Sequence, residues 1–237
     1  MHHYGVIGYP LEHSFSALLF NRKFAAEHID AEFSLYPVAP EEKAQIPALI
    51  ARLDGLTVTS PYKETVIPYL ERLDETAAEI GAVNVIYQGT GYNTDYIGFM
   101  NSLRPLLRKE DKRALVLGTG GAAKAVCFGL QQLGIHPTTV SRSPKAGMLG
   151  YSDLTAEVMD QHTIIVNCTP LGMLPNVNSC PAIPYERLTA RHILYDCVYN
   201  PEETVFLRKG KAHGAVIRNG AEMLIGQAEA AWKIWKN

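Results

Sequence analysis

Closely spaced cysteines are missing from this sequence of 237 residues, which holds four cysteines and no Cys-x-x-Cys pair. The eight histidines also lack the spacing of metal ligands, so the sequence gives no support for a metal site. Buried thiols are the expected state of Cys127, Cys168, Cys180 and Cys197. Cys168 and Cys197 follow apolar, strand-like runs and could line a pocket, but neither has a partner base that would make it a nucleophile.

A bias of charge and a long apolar run are missing as well. The formal net charge is -2, without the basic excess of a nucleic-acid-binding protein and without an acidic tail. No apolar run is long enough to span a bilayer, and the first residues lack the pattern of a secretory leader. We therefore expect a cytoplasmic protein that binds neither nucleic acid nor membrane and takes a small neutral or anionic ligand.

Strand-like and helix-like patterns alternate through the first hundred residues, and this alternation favours a parallel sheet covered by helices. After a third strand, residues 64–80 predict two short helices, residues 83–94 a hairpin, and residues 95–107 a helix that Asp95 caps. The earlier elements are predicted as strands at 4–7, 31–38 and 56–59 and helices at 16–28 and 41–53.

A charged segment at 108–113 separates this series from a second alternating series. The second series predicts strands at 114–117, 138–140, 163–167, 193–197 and 215–218, and helices at 122–133 and 203–213. We therefore predict an α/β protein of two domains. Residues 1–107 form an α/β substrate domain, completed by a helix at 221–237 that packs back on it. Residues 108–220 form a Rossmann-type, doubly wound dinucleotide-binding domain.

The glycine-rich segment Gly118-Thr119-Gly120-Gly121-Ala122-Ala123 directly follows a predicted strand and opens a predicted helix. In that context the first glycine permits a tight turn, the second lets the backbone approach a pyrophosphate, and a small residue allows close packing of helix on strand. The phosphates would lie at the helix N-terminus. This segment predicts a nucleotide site, although glycine-rich turns also serve packing alone.

The end of the next predicted strand distinguishes the two nicotinamide cofactors, and here it carries Ser141-Arg142-Ser143. An acidic residue at this place would accept a hydrogen bond from the ribose 2'-hydroxyl of NAD, but no acidic residue occurs between Asp111 and Asp153. An arginine can pair with the 2'-phosphate of NADP, whereas the alternative is an arginine that is only solvated. With no acidic residue at this place, the segment favours an NADP site.

Lys63 and Asp95 each follow a strand-like run and lead into a helix-like run, where a rigid scaffold presents functional side chains. A lysine beside an aspartate can serve as a proton-transfer pair. The alternative is a solvated lysine and a helix N-cap aspartate.

Other polar residues of the first domain also fall at strand ends, where ligands of parallel sheets bind. Ser14 and Ser16 flank Phe15, which is expected to point into the core, and their hydroxyls could cap a helix or hold a carboxylate. Thr59, Asn84 and Asp95 add groups that recognise hydroxyls.

Eight motifs, in this order along nearly the whole chain, resemble the shikimate dehydrogenase family. They are Pro10-Leu11-x-His13-Ser14-x-Ser16, Val58-Thr59-x-Pro61-x-Lys63, Gly81-Ala82-Val83-Asn84, Asn93-Thr94-Asp95-x-x-Gly98-Phe99, Gly118-x-Gly120-Gly121-Ala122-Ala123-Lys124-Ala125, Asn167-x-Thr169-Pro170-x-Gly172-Met173, Asp196-x-Val198-Tyr199-x-Pro201 and Met223-Leu224-x-x-Gln227-Ala228.

This resemblance implies NADPH-dependent, reversible reduction of 3-dehydroshikimate to shikimate in chorismate biosynthesis, by a monomer or homodimer. It implies Lys63 and Asp95 as the catalytic pair. The residues it implies for the substrate are Ser14, Ser16 and Tyr199 at the carboxylate and Thr59, Lys63, Asn84, Asp95 and Gln227 at the hydroxyls. Those it implies for the cofactor are Gly118, Thr119, Gly120, Gly121, Ala122, Ser141, Arg142 and Ser143, with Glu75, Cys197, Gly220 and Met223 near the nicotinamide.

Three alternatives stay open. A quinate/shikimate dehydrogenase would use the same pair, often with NAD, and the Arg142 segment argues against it. A catalytically silent, dehydrogenase-like sensor would not need Lys63 and Asp95 intact. A methylenetetrahydrofolate dehydrogenase fits the paired serines and Gln227 poorly.

Overall fold

The computed structural model describes residues 1–12 and 14–236, and in it the chain forms two compact α/β units. One unit consists of Met1–Thr94 with Gln227–Asn237, and the other of Asp95–Gly226.

Each unit contains a six-stranded sheet. The strands are β1 (His2–Gly8), β2 (Ala31–Pro37), β3 (Gly55–Val58), β4 (Arg72–Leu73), β5 (Val85–Tyr87), β6 (Thr90–Tyr92), β7 (Arg113–Leu117), β8 (His136–Ser141), β9 (Leu149–Gly150), β10 (Ile164–Asn167), β11 (Ile193–Asp196) and β12 (Val216–Arg218). The α-helices are α1 (Phe15–Ala26), α2 (Ile46–Arg52), α3 (Glu75–Ile80), α4 (Asp95–Leu103), α5 (Gly121–Gln132), α6 (Ala156–Gln161), α7 (Val205–Ala212) and α8 (Ala221–Trp235).

The sheet of the first unit has the order β2-β1-β3-β5-β6-β4 and is mixed. β1 pairs in parallel with β2 and β3, whereas β5 pairs antiparallel with β3 and β6. The predicted hairpin is therefore present, and it makes the sheet mixed where a parallel one was expected. Its turn residues Gln88 and Gly89 both have positive φ, 46° and 71°, which suits the tight connection of a hairpin.

Two predicted helical stretches of the first unit are interrupted by proline. The predicted helix at 41–53 is a 3-10 helix, Pro40–Gln45, followed by α2, because Pro47 lacks the N–H that would continue one α-helix through it. Within 64–80 only α3 is α-helical; Ile67–Tyr69 around Pro68 is a 3-10 helix, and β4 follows it.

The second unit has a wholly parallel sheet of order β12-β11-β10-β7-β8-β9. Counted from β7 as strand 1, this is the doubly wound order 3-2-1-4-5-6 of dinucleotide-binding domains. The predicted fold class is confirmed. The strand order reverses between β7 and β10, so the loops that follow these two strands flank the switch point.

Helix α4 groups with the second unit, whereas the sequence pattern assigned it to the first domain. Phe99 and Leu103 of α4 are fully buried in a core that includes Val116 of β7 and Val126 of α5. A Cβ on Gly129 of α5 would lie 3.0 Å from the ring of Phe99, so the two helices pack closely. The functional domain boundary at 107/108 stays a prediction.

The core on one face of the first sheet is aromatic and is completed by the end of α8. Tyr4, Phe20, Phe24 and Phe33 cluster with Trp235, whose indole N–H donates to the carbonyl of Ile86 at 3.2 Å. Residues 228–235 thus pack on the first unit, as the helical spacing predicted. Phe15, by contrast, is 38% exposed, so its expected core position is wrong; it lies at the first turn of α1, before the buried face begins at Phe20.

Candidate active site

One edge of the first sheet collects the polar residues that the sequence singled out. β1 and β3 are parallel and end at this edge, β5 runs the other way and begins there, and β6 ends there. Ser14 and Ser16 therefore follow β1, Thr59 and Lys63 follow β3, and Asn84 precedes β5. The antiparallel hairpin brings Asn84 to the same edge as the residues that follow parallel strands.

The loop that carries Lys63 is held at both ends by backbone hydrogen bonds. The N–H of Thr59 donates to Ile7 of β1 at 2.9 Å, and the N–H of Val83 donates to the carbonyl of Lys63 at 2.7 Å. Between them, Tyr62 is 1% exposed, and its hydroxyl donates to the carbonyl of Val38 at 2.5 Å. The buried tyrosine fixes the backbone beside the half-buried Lys63.

Asn84, Thr94 and Gln227 form a buried hydrogen-bonded cluster at this edge. The amide nitrogen of Asn84 donates to the hydroxyl of Thr94 at 2.9 Å and to the side-chain oxygen of Gln227 at 3.1 Å. The backbone N–H of Thr94 donates to the side-chain oxygen of Asn84 at 2.6 Å, and its hydroxyl donates to the carbonyl of Gln227 at 2.9 Å. These bonds join the segment before β5, the segment after β6 and α8.

Thr94 is the member of this cluster that the sequence did not single out as a site residue. The sequence feature that could have revealed Thr94 is the polar run Asn93-Thr94-Asp95 after β6. In the same run, the side-chain amide of Asn93 donates to the carbonyl of Ala82 at 2.9 Å. The distance in sequence between Thr94 and Gln227 gives no local pattern that would reveal their contact.

Ser14 and Ser16 are both half-buried at the start of α1. Ser14 has the extended backbone of an N-cap residue, but its hydroxyl makes no capping hydrogen bond to α1. Capping is therefore not what Ser14 does, and binding of a carboxylate stays the prediction. His13 of the same motif lies outside the described residues.

Asp95 is the first residue of α4, directly after Thr94, and is 5% exposed. It groups with the second unit and Lys63 with the first. Asp95 is thus buried and Lys63 half-buried, while both the catalytic pairing of these two residues and the alternative of a helix N-cap aspartate stay predictions.

The glycine-rich loop lies at the switch point of the second sheet. Gly118 has a φ of +117°, and a Cβ there would lie 3.3 Å from the backbone of Cys168, in the loop after β10. Gly120 precedes the twelve-residue helix α5, and a Cβ there would meet nothing within 4 Å. Ala123 is 2% exposed and packs in the core. The open backbone at Gly120 and the helix N-terminus together fit a pyrophosphate.

Three other residues predicted for the cofactor converge beside this loop. Cys197 follows β11, and a Cβ on Gly220 would collide with its carbonyl oxygen. Met223 of α8 packs in the same core as Cys197 and Cys168.

Ser141, Arg142 and Ser143 follow β8. The hydroxyl of Ser141 accepts from the N–H of Ser143 at 3.1 Å, and Arg142 is exposed.

Glu75 and Tyr199 are both exposed, one in each unit. Glu75 is exposed at the first turn of α3 in the first unit. Tyr199 is 38% exposed in the loop after β11 of the second unit. Their assignments, to cofactor and substrate respectively, stay predictions.

A buried carboxylate supports the loops at the switch point, and the sequence did not predict it as part of the site. Asp196, 0% exposed, accepts from the hydroxyl of Thr204 at 2.6 Å, from the N–H of Val198 at 3.0 Å and from the amide of Asn167 at 3.0 Å. Burial raises the pKa of Asp196 to about 6, against the lowering effect of these hydrogen bonds. The sequence feature that could have revealed Asp196 is an aspartate at the end of an apolar strand.

Metal ligands and membrane helices were searched among the described residues. No group of three or more His, Cys, Asp or Glu side chains there could hold a metal ion. No helix in that part of the chain is both long and apolar enough to cross a membrane.

The second unit has a Rossmann-type sheet with a glycine-rich loop at its switch point, and the first is an α/β unit that carries a polar edge. These features define a dinucleotide-binding protein of two α/β units. The family model of the shikimate dehydrogenase substrate binding domain matches residues 6–86. The chain is 35% identical to shikimate dehydrogenase (NADP(+)) of Methanosphaera stadtmanae, over 98% of this chain and 90% of that protein. It is 37% identical to the enzyme of the same name from Symbiobacterium thermophilum, over 98% and 87%. The chain belongs to the shikimate dehydrogenase family.

Solved structures agree with this relationship. Shikimate dehydrogenase of Aquifex aeolicus is similar with a TM-score of 0.89 and 34% identity, over 99% of this chain and 92% of that one. Shikimate 5-dehydrogenase of Thermus thermophilus, in complex with NADP(H) and shikimate, is similar with a TM-score of 0.87 and 28% identity, over 99% and 93%.

Proposed function

We propose that this protein is an NADP-dependent shikimate dehydrogenase, which reversibly reduces 3-dehydroshikimate to shikimate. The observation that carries the proposal is the pair of ligand-binding edges: a polar, hydroxyl-bearing edge in the first unit and a glycine-rich switch point in the second. Membership of the shikimate dehydrogenase family supports the same activity. The enzyme is an oxidoreductase that acts on a CH–OH group in the biosynthesis of chorismate and aromatic amino acids.

The polar edge of the first unit suits a polyhydroxylated carboxylic acid. The hydroxyl of Ser14, which makes no capping hydrogen bond to α1, would hold the carboxylate together with that of Ser16, and Tyr199 would complete that contact. The buried side-chain amide of Asn84 is oriented by Thr94, and that of Gln227 by Asn84, so they would bind ring hydroxyls at little cost of ordering. Thr59 would add a further hydroxyl contact.

The switch point of the second unit suits NADP, which when bound supplies the hydride acceptor or donor. Gly118, Thr119, Gly120, Gly121 and Ala122 would hold the pyrophosphate at the N-terminus of α5. Ser141, Arg142 and Ser143 would hold the 2'-phosphate of NADP. No carboxylate at this place would repel that phosphate or accept a hydrogen bond from the 2'-hydroxyl of NAD. Cys197, Gly220 and Met223 would line the nicotinamide side, with Glu75 as a further contact.

The chain's own contribution to the chemistry is proton handling at the reacting hydroxyl. Reduction of a ketone develops an alkoxide, and Lys63 would stabilise that charge and give the proton. Asp95 would orient the lysine ammonium and the hydroxyl. The fixed backbone on both sides of Lys63 favours this role, since a catalytic group must be held in place to act.

One assay tests the proposal against its rivals. The purified protein is mixed with shikimate or quinate and with NADP or NAD, and reduced cofactor is followed by its absorbance. We expect turnover with shikimate and NADP. Equal turnover of quinate, above all with NAD, would favour the quinate/shikimate enzyme, and binding of both ligands without turnover would favour the sensor.

Two finer predictions belong to the same proposal. A monomer or homodimer, and a cytoplasmic location, are expected from the sequence and stay predictions. Sedimentation of the purified protein checks the first and fractionation of cells the second.

A further inference from the structure

Cys168 and Cys197 stand side by side at the ends of neighbouring parallel strands. Asn167 of β10 is in register with Asp196 of β11, and each cysteine is the next residue. The N–H of Cys197 donates to the carbonyl of Asn167 at 2.9 Å, which continues the ladder up to this pair. Both side chains point to the face that also carries Val166 and Tyr195, because alternate residues of a strand share a face.

The two sulfur atoms lie 3.7 Å apart, in contact but not bonded. Neighbouring strands are about 4.8 Å apart, and disulfides join residues whose Cα atoms are roughly 4.4–6.8 Å apart. Bond formation therefore requires rotation of the two side chains and no rearrangement of the sheet. Both residues are partly exposed.

The other two cysteines have different surroundings. Cys127 lies on α5, where its thiol contacts the hydroxyl of Thr139 at 3.8 Å. Cys180 packs on the core of the opposite face of the sheet. Within the described residues, 168 and 197 are the pair in mutual sulfur contact.

We propose that Cys168 and Cys197 form a two-thiol modification site, which low-molecular-weight disulfides convert reversibly into an intramolecular disulfide. In the first step the thiolate of one cysteine attacks the small disulfide, a mixed disulfide forms and one small thiol leaves. In the second step the other cysteine attacks the protein sulfur of the mixed disulfide, and the second small thiol leaves. The protein loses two protons and two electrons, and the small disulfide gains them.

The surroundings of Cys168 disfavour its thiolate. The hydrogen bond with Cys197, together with burial, raises the pKa of Cys168 well above its usual range. We therefore expect attack by Cys168 on the small disulfide to be slow near neutral pH.

The modification would act on the cofactor edge. Cys168 contacts the turn at Gly118, and Cys197 contacts Gly220, so the bond would join two residues beside these glycines and move the Cys197 sulfur, which the proposed function places on the nicotinamide side. We expect weaker NADP binding in the oxidised protein; this second part rests on the proposed function.

The experiment uses oxidised glutathione as the probe and the full-length protein without reductant. Non-reducing digestion and mass spectrometry should reveal a peptide linked through Cys168 and Cys197, which reduction abolishes. Cys180→Ser, the matched control, should form the same link, and Cys197→Ser and Cys197→Ala should not. Absence of the linked peptide from the wild-type protein, or a lasting glutathione adduct on Cys197 beside a reduced Cys168, would overturn the proposal.

Binding titrations complete the test. The oxidised protein should bind NADP+ at least ~10-fold more weakly than the re-reduced protein. Equal affinity in the two states would overturn the effect on the cofactor edge. Failure of the untreated, reduced protein to bind NADP+ would instead contradict the proposed function, and the presence or absence of the linked peptide would still decide whether the thiol pair forms a disulfide.

Discussion

At the scale of single residues, Lys63 is the side chain on which the proposed chemistry depends. Its backbone is fixed by the buried Tyr62 on one side and by the bond from Val83 on the other. Because the backbone is fixed, the ammonium group can move only through rotations within the lysine side chain.

Replacement of this lysine should remove proton transfer and charge stabilisation while leaving the other substrate contacts in place. For Lys63→Ala we expect kcat to fall about 100- to 10,000-fold, with a much smaller change in the dissociation constant of shikimate. Steady-state kinetics and a binding titration measure the two effects.

The matched control is Lys43→Ala, at an exposed position of the 3-10 helix Pro40–Gln45. It should keep wild-type kinetics. Nearly full turnover in Lys63→Ala would show that the lysine has been given the wrong role.

Asp196 gives a prediction about pH. Its pKa in the folded protein is about 6, above the ordinary value of 3.8. Between these values the unfolded chain loses the proton before the folded protein does, so stability falls as pH rises from about 4 to about 6. The whole difference corresponds to about 3 kcal/mol. Asp196→Asn should remove this part of the pH dependence, measured as the free energy of unfolding in denaturant at several pH values.

Asp160→Asn, at an exposed position of α6, is the control and should keep the wild-type pH dependence. The comparison uses the slope with pH, because Asp196→Asn also changes the bonds to Thr204 and Val198 and so lowers stability at every pH. An unchanged slope in Asp196→Asn would contradict the raised pKa.

At the scale of elements, the turn from β7 into α5 depends on backbone freedom at Gly118. A residue with a Cβ is strained at a φ of +117° and would press on the backbone of Cys168. For Gly118→Ala we expect a loss of about 1–3 kcal/mol in stability and a marked loss of NADP+ affinity. Thermal or denaturant unfolding and a binding titration measure both.

Gly134, just after the other end of α5, is the matched control. It also has positive φ, +72°, but a Cβ there would meet nothing within 4 Å. Gly134→Ala should cost some stability and leave NADP+ affinity unchanged. Equal affinities in both variants and the wild type would mean that Gly118 does not shape the cofactor loop.

Periodicity predicted most elements of this fold because most of them bury one face. The strands around Val6, Val58 and Val166 and the helix from Gly121 carry that pattern. β4 and β9 have two residues each, too few to show a period, and α6 is a short helix of six residues. The antiparallel hairpin was predicted from its turn, but its effect on the sheet depends on long-range pairing.

The candidate site was predictable where its residues follow strands in recognisable motifs, as Lys63 and Gly118 do. Thr94 and Asp196 were not, because their roles come from contacts such as those with Gln227 and Thr204 that only the folded chain creates. Local sequence carries side-chain type and periodicity, whereas burial and hydrogen-bond partners belong to the tertiary structure.

At the scale of the whole molecule, two ligands are assigned to two units, and their effects on stability should differ by unit. A ligand whose free concentration is 100 times its dissociation constant stabilises the state it binds by about 2.7 kcal/mol. Hydrogen exchange should therefore slow chiefly at 118–123 and the strands around it with NADP+, and chiefly at 56–63 and 84–94 with shikimate. Mass spectrometry of peptides from each unit measures the effect.

Protein without ligand, and protein with NAD at the same concentration, serve as controls. Slower exchange confined to the first unit on addition of NADP+ would contradict the assignment of the cofactor to the second unit.

The aromatic core of the first unit also has a consequence for synthesis on the ribosome. Tyr4, Phe20 and Phe33 emerge early, but the cluster is closed by Trp235, after all of residues 95–226 have been made. Until α8 emerges, the nascent chain carries an uncovered aromatic face, the kind of surface that chaperones bind and that aggregates. The core of the second unit also includes Met223 of α8, so both units complete their cores only when this helix has been made.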